Sequence, residues 1–210
     1  MRDKPIKETV TVYLTDVRNL RPIEARCLPL LTPKRRKAAE DYQDQTVRLR
    51  VIGAGLLLRK VLGVKRDGDL SQNEYGKPFL AAGGPQFSLS NAGCYAALAA
   101  AQVPVGLDIE PIKDDYPPVL RRYFLPDELE WLDQTSSEER FYTLWTRLES
   151  VLKAEGAGFD GWRQRKRSLL QENGPWFIQN AVHDRHMIAC TAGKPFYLRL
   201  IHVNTDCLLK

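Results

Sequence analysis

The sequence predicts an α+β fold built as two similar halves, and three observations lead there. An alternating apolar strand near the N-terminus is followed by a long helical stretch and then by paired strands. After residue 103 the same order returns: strand, helices, strands. A Gln102-Val103-Pro104 connection falls between the two runs, giving halves at residues 1–102 and 103–210, the second carrying the acidic residues considered below. The tetrapeptide Gly-Lys-Pro-Phe occurs at 76–79 and again at 193–196, too short to define a sequence repeat.

Each element has a local cause. Thr9 to Thr15 alternates polar and apolar residues and predicts a strand. Pro22 to Leu31 predicts a short helix with proline near its start. Thr32-Pro33 predicts an N-cap with proline in the first turn. From there to Leu62 the pattern is helical, in one long piece or two, basic first (Lys34 to Lys37) and apolar later, ending near Gly63. Asn73 to Leu80 is a turn-rich loop. Phe87 to Ser90 and Gly93 to Ala101 predict strands joined by a tight turn at 91–93, and Val103 to Ile109 a further strand. Asp114 to Pro118 predicts a polar loop, and Pro126 to Asp133 a short helix. Ser136 and Glu139 have capping-box spacing for the next helix, which Gly156 and Gly158 close. Trp176 to Ala189 and Phe196 to Val203 alternate as strands.

With 210 residues the chain is one large domain or two small ones. It has 31 Lys and Arg against 26 Asp and Glu, a net charge of +5. That excess suits an anionic ligand or an acidic protein partner and does not call for nucleic acid. The basic run Trp162 to Arg167 reads as a solvated face or a docking patch for an acidic protein. The charged N-terminus lacks an apolar signal core, and the richest apolar stretch, residues 94–105, is too short to span a membrane. Cys27, Cys94, Cys190 and Cys207 form no metal-type cluster and read as buried free thiols of a cytoplasmic protein. His183 and His186 lack a nearby third ligand and read as strand surface.

The chemistry-bearing segment is Val105 to Glu110. Asp108 and Glu110 are two apart, so a strand points both to one side. Like charges so placed repel unless a cation lies between them, and oxygen ligands suit a hard divalent ion, magnesium first. Trp145, Glu149 and Lys153 stack along one face of a helix, offering a third carboxylate and a cation. Three carboxylates with a lysine describe a site for a metal-bound phosphate ester. Taken singly, the same residues also fit a solvated strand edge and an exposed i,i+4 ion pair.

These residues resemble the 4'-phosphopantetheinyl transferases of the surfactin type, in order along nearly the whole chain. Glu74-Tyr75-Gly76-Lys77-Pro78 resembles the family's G-K-P loop, and Phe87 to Asn91 its F-N-x-S-H turn. Gly106 to Glu110 resembles its G-x-D-x-E motif. Phe141 through Trp145, Thr146, Glu149, Ser150 and Lys153 resemble its W-[ST]-x-K-E-[AS]-x-x-K helix, and Arg50 the arginine of its first long helix. The resemblance implies a pseudo-twofold pair of α+β halves with a cleft between them. It implies transfer of the 4'-phosphopantetheine arm of coenzyme A to a serine of an acyl or peptidyl carrier protein, releasing adenosine 3',5'-bisphosphate, in fatty acid, polyketide or nonribosomal peptide biosynthesis. It implies magnesium on Asp108, Glu110 and Glu149, with Glu149 and Lys153 catalytic, Glu149 taking the serine proton directly or through water. Arg35, Arg50, Lys77, Ser90, Asn91 and Lys153 are the implied coenzyme A ligands. The two intrachain halves imply a monomer acting without membrane or nucleic acid.

Three positions depart from the family pattern: Asn91 replaces histidine, Leu148 replaces lysine, and Ala38 lies where a second basic residue is common. Three lost cations predict weaker coenzyme A binding. They also define the alternative function, a catalytically degenerate relative that holds coenzyme A or a carrier protein without turnover.

Overall fold

The computed structural model describes residues 8–135, 137–171 and 174–210. The strands are β1 (Glu8–Asp16), β2 (Leu70–Gln72), β3 (Pro78–Leu80), β4 (Gln86–Ala92), β5 (Tyr95–Ala101), β6 (Val105–Pro111), β7 (Phe177–His183), β8 (His186–Ala192) and β9 (Phe196–His202). The helices are α1 (Glu24–Cys27), α2 (Pro33–Glu40), α3 (Gln45–Leu62), α4 (Pro126–Asp133), α5 (Glu138–Glu155) and α6 (Thr205–Leu208).

One sheet has the order β4-β5-β1-β9 and a second the order β6-β8-β7. Their facing sides share an apolar core that includes Val10, Val12 and Leu14 of β1, Leu107 and Ile109 of β6, and Ile188 of β8. The outer side of the first sheet packs on α3 through Leu98 and Ile52. The outer side of the second packs on α5 through Met187 and Leu144. The result is α+β, a helix-sheet layer repeated twice. Strand β5 is apolar at every position because it is covered on both faces.

Several expectations are corrected. The stretch from Thr32 to Leu62 forms two helices: the C-cap of α2 is Asp41, and Asp44 accepts from the Val47 amide to start α3 anew. Pro22 to Leu31 forms 3-10 turns around the short α1 rather than one helix. The 73–80 loop ends in β3, which pairs with β2. The Ser136 capping box lies outside the described residues, and Ser137 is the N-cap of α5. Only Cys27 and Cys190 are buried, whereas Cys207 is exposed. His186 is buried, not on the strand surface, with its ring edge-on to Tyr95. Within the basic run only Arg165 departs from a solvated face, its side chain buried against Glu128, whereas Arg163, Lys166 and Arg167 are exposed.

Strand β9 crosses the division between the proposed halves. By sequence it belongs to residues 103–210, yet it runs parallel to β1 from Glu8↔Phe196 to Leu14↔His202. Among the described residues no helix is long and apolar enough to cross a membrane.

Candidate active site

Alternation along β6 divides its side chains. Val105, Leu107 and Ile109 enter the core between the sheets, so Gly106, Asp108 and Glu110 turn to the other side. That side faces α5. Gly106 makes the approach possible: a Cβ there would lie 1.8 Å from the Ser150 carbonyl oxygen and 2.5 Å from the Ala154 nitrogen. The glycine of the motif therefore lets the helix backbone lie on the strand, which sets Glu149 and Lys153 beside Asp108. Helix α5 ends at Gly156, whose φ of 69° is the left-handed conformation glycine adopts without strain.

Asp108 is 2% exposed. Its Oδ1 accepts from Lys153 Nζ at 2.6 Å and from Ser90 Oγ at 2.8 Å. Its Oδ2 is buried with no hydrogen-bond partner. Lys153 Nζ also lies 3.5 Å from Glu149 Oε2, so one ammonium bridges two carboxylates. Burial, then the charges of Asp108 and Glu149, push the Glu110 carboxyl up to about 7. Burial and Asp108 push Glu149 up as well. Burial opposes the charge on Lys153, but Asp108 and Glu149 outweigh it and hold the ammonium above its ordinary range. Lys153 thus stays cationic, while three acids crowd around a single positive charge.

Among the described residues no three His, Cys, Asp or Glu side chains are arranged as a metal centre. The donor chemistry nevertheless fits a hard divalent ion. Asp108 Oδ2 lacks a partner, and Glu110 resists ionising beside two other acids. Both conditions are relieved by one more cation bound by oxygen.

A cleft of about 320 Å³ opens next to this cluster. Its walls include Tyr75, Phe87, Leu89, Leu152 and Phe159, with Lys77, Glu149 and Lys153 as the charged residues. Pro78 separates it from a recess of about 400 Å³ lined by Arg35, Ala38 and Val51. Burial lowers the Arg35 pKa, and no carboxylate among the described residues pairs with this guanidinium. Arg50 is half-buried on α3, with Nε lacking a hydrogen-bond partner.

Lys77 lines the cleft, but its ammonium donates to the carbonyls of Ala154 at 3.0 Å and Val105 at 3.2 Å. Asn91 is exposed on β4, on the side opposite Ser90. Leu148 is fully buried in the core under α5, so a lysine at this position of the helix would not face the cleft. Its apolar character therefore removes no charge from the site.

Asn73 and Ser88, which sequence reasoning missed, help hold the site together beside Ser90. Asn73 Nδ2 donates to the Gly156 carbonyl at 2.8 Å, and its Oδ1 accepts from the amides of Tyr75 and Lys77. The G-K-P loop is thereby fastened to the end of α5. Ser88 Oγ accepts from the Leu107 amide at 3.0 Å, and Ser90 Oγ from the Ile109 amide at 3.3 Å. These hydroxyls join β4 to β6 where no backbone ladder does. The signal available in the sequence was their i,i+2 spacing in an otherwise apolar strand.

Residues 104–191 match the 4'-phosphopantetheinyl transferase superfamily. The chain is 31% identical over 134 residues to a 4'-phosphopantetheinyl transferase of Bacillus subtilis, covering 60% of this chain and 59% of that protein. It is 36% identical over 111 residues to the transferase gsp of Aneurinibacillus migulanus, covering 49% and 46%. It is 28% identical over 142 residues to the transferase Sfp of Bacillus subtilis strain 168, covering 63% of each. The matches thus span less than two thirds of these relatives' own lengths. Over these parts of its length the chain is thus similar to 4'-phosphopantetheinyl transferases.

Proposed function

We propose that the chain transfers the 4'-phosphopantetheine arm of coenzyme A to a serine of an acyl or peptidyl carrier protein, with magnesium, releasing adenosine 3',5'-bisphosphate. The observation that carries this reading is the buried Asp108 carboxylate, with one oxygen held by Ser90 and Lys153 and the other unpartnered beside the cleft acid Glu149. The names of the similar proteins support it.

Asp108, Glu110 and Glu149 would hold the magnesium ion. When bound, it supplies charge neutralisation of the pyrophosphate and of the phosphate that leaves. Lys153 keeps its proton in this acidic setting and adds fixed positive charge to the same phosphates. Glu149, directly or through a water, would accept the serine proton as the serine oxygen bonds to phosphorus and the bond to the bisphosphate breaks. The apolar walls keep competing water from the phosphorus. Arg35, which lines the recess beyond Pro78, and Arg50 on α3 would serve the nucleotide end. Lys77 and Asn73 shape the loop between recess and cleft. Asn91 offers at most a neutral hydrogen bond to the 3'-phosphate. We infer a cytoplasmic monomer that needs no nucleic acid or membrane.

Incubation with coenzyme A, magnesium and an apo carrier protein tests the reading by mass spectrometry. The carrier gains the mass of one phosphopantetheine arm, and chelation of magnesium stops the gain. Retained coenzyme A binding with no mass gain on any carrier class refutes the transferase and supports the degenerate binder.

A further inference from the structure

We propose that Asn73 is a positioning residue that clasps the cleft wall carrying Tyr75 onto the end of helix α5, and so keeps the coenzyme A cleft formed in the free protein. The inference rests on the proposed function for the identity of the ligand. Strands β2 and β3 are three residues each and form a sheet of their own. A two-stranded hairpin is marginal in water by itself. Its tip, residues 73–77, nevertheless supplies Tyr75, Gly76 and Lys77 to the cleft wall. Bonds from beyond the hairpin must hold that tip in place.

Asn73 uses both ends of its side-chain amide. Its Oδ1 accepts from the backbone amides of Tyr75 at 3.0 Å and Lys77 at 2.8 Å, and its own backbone amide closes the turn by donating to the Lys77 carbonyl. Its Nδ2 donates at 2.8 Å to the Gly156 carbonyl, 83 positions away in sequence. Carbonyls at a helix C-terminus have no intrahelical partner, so this donor meets a need of α5 as well. The fit is close: a Cβ on Gly156 would lie 3.1 Å from Nδ2, and Tyr75 lies 3.7 Å from where a Cβ of Gly158 would be. One short side chain thus shapes the turn and anchors it. Lys77 reaches the Ala154 and Val105 carbonyls only over a long flexible stem. A wall already in place need not be ordered when the ligand arrives.

The test compares the full chain with two variants. Asn73→Ala removes both side-chain groups. Asn73→Asp keeps an oxygen for the Tyr75 and Lys77 amides but turns an acceptor toward the Gly156 carbonyl, so it preserves the turn and cuts the clasp. Both should raise KM for coenzyme A about tenfold with kcat held within about twofold, because a tip in place roughly a tenth of the time lowers apparent affinity by that factor. Hydrogen exchange at the Gly156 amide, which donates to the Leu152 carbonyl at the end of α5, should quicken about tenfold in both variants.

A wild-type KM in Asn73→Asp beside a raised KM in Asn73→Ala overturns the clasp in favour of the turn alone. A fall in kcat with KM unchanged overturns it in favour of a disturbance at the acids of α5. Unchanged exchange at Gly156 in both variants overturns it whatever the enzyme does. Wild-type protein that neither binds coenzyme A nor modifies a carrier overturns the proposed function and this inference together. A wild type that modifies a carrier, with both variants unimpaired, overturns this inference alone.

Discussion

Removing Arg165 should destabilise the protein through a charge left behind in the core. Glu128 is fully buried and Arg165 nearly so. The carboxylate accepts from both terminal guanidinium nitrogens, Nη1 at 2.5 Å and Nη2 at 2.7 Å, and from the amides of Leu169 at 2.6 Å and Leu125 at 2.8 Å. In Arg165→Ala the two amides remain but the counter-charge is gone, a situation that costs about 3–5 kcal/mol. For a chain of this size that is a fall of roughly 6–20 °C in melting temperature, at 2–4 °C per kcal/mol.

The pair also fastens the segment that begins at Phe159, whose ring packs on Tyr123 and borders the cleft. KM for coenzyme A should therefore rise in the same variant. Thermal unfolding read by circular dichroism measures the first effect, and steady-state carrier modification the second. Adding Glu128→Gln to Arg165→Ala removes the stranded charge and should recover a large part of the stability. A loss below about 1 kcal/mol, the range of an exposed ion pair, would refute the reasoning. So would a double variant no more stable than Arg165→Ala.

Gly106→Ala should cost more than about 4 kcal/mol, because the new methyl meets helix backbone that cannot move aside as a side chain can; urea unfolding measures it, and a well-folded variant of normal activity counts against the close approach. Lys77→Met should lower stability by about 1.5–3 kcal/mol through loss of the bonds to the Ala154 and Val105 carbonyls; an unchanged urea midpoint with weakened coenzyme A binding would instead make Lys77 a nucleotide ligand. Burial, then the hydrogen bond to Asp184, push the Tyr95 phenol up to about 12. Its folded pKa is raised, so its contribution is complete below pH 10 and is lost as pH climbs toward 12; stability scans should show an alkaline decline that Tyr95→Phe lacks.

Much of the chemistry was legible in the sequence because strand and helix periods are local. The alternation that puts Asp108 and Glu110 on one side of β6 needs only a strand, and the stacking of Glu149 with Lys153 needs only a helix turn. Gly156 announces the end of α5 because few other residues accept its φ. Boundaries such as the break between α2 and α3 were less legible. There Asp44 as a cap competes with a continuing helical pattern, and the cap prevails.

Tertiary structure alone decided what each polar group is bonded to. Nothing local distinguishes Arg165, buried on Glu128, from its neighbours in a basic run. Nothing local to Lys77 foretells the carbonyl that the end of α5 supplies to its ammonium. The partners of Ser90, the Ile109 amide and the Asp108 carboxylate, arrive from β6. The parallel pairing of β9 with β1 joins residues almost the length of the chain apart. The physical reason is the same in each case. A side chain's type fixes how many hydrogen bonds and what charge it can offer, whereas its partners come from segments far away in sequence, brought there by burial of the apolar faces of other elements.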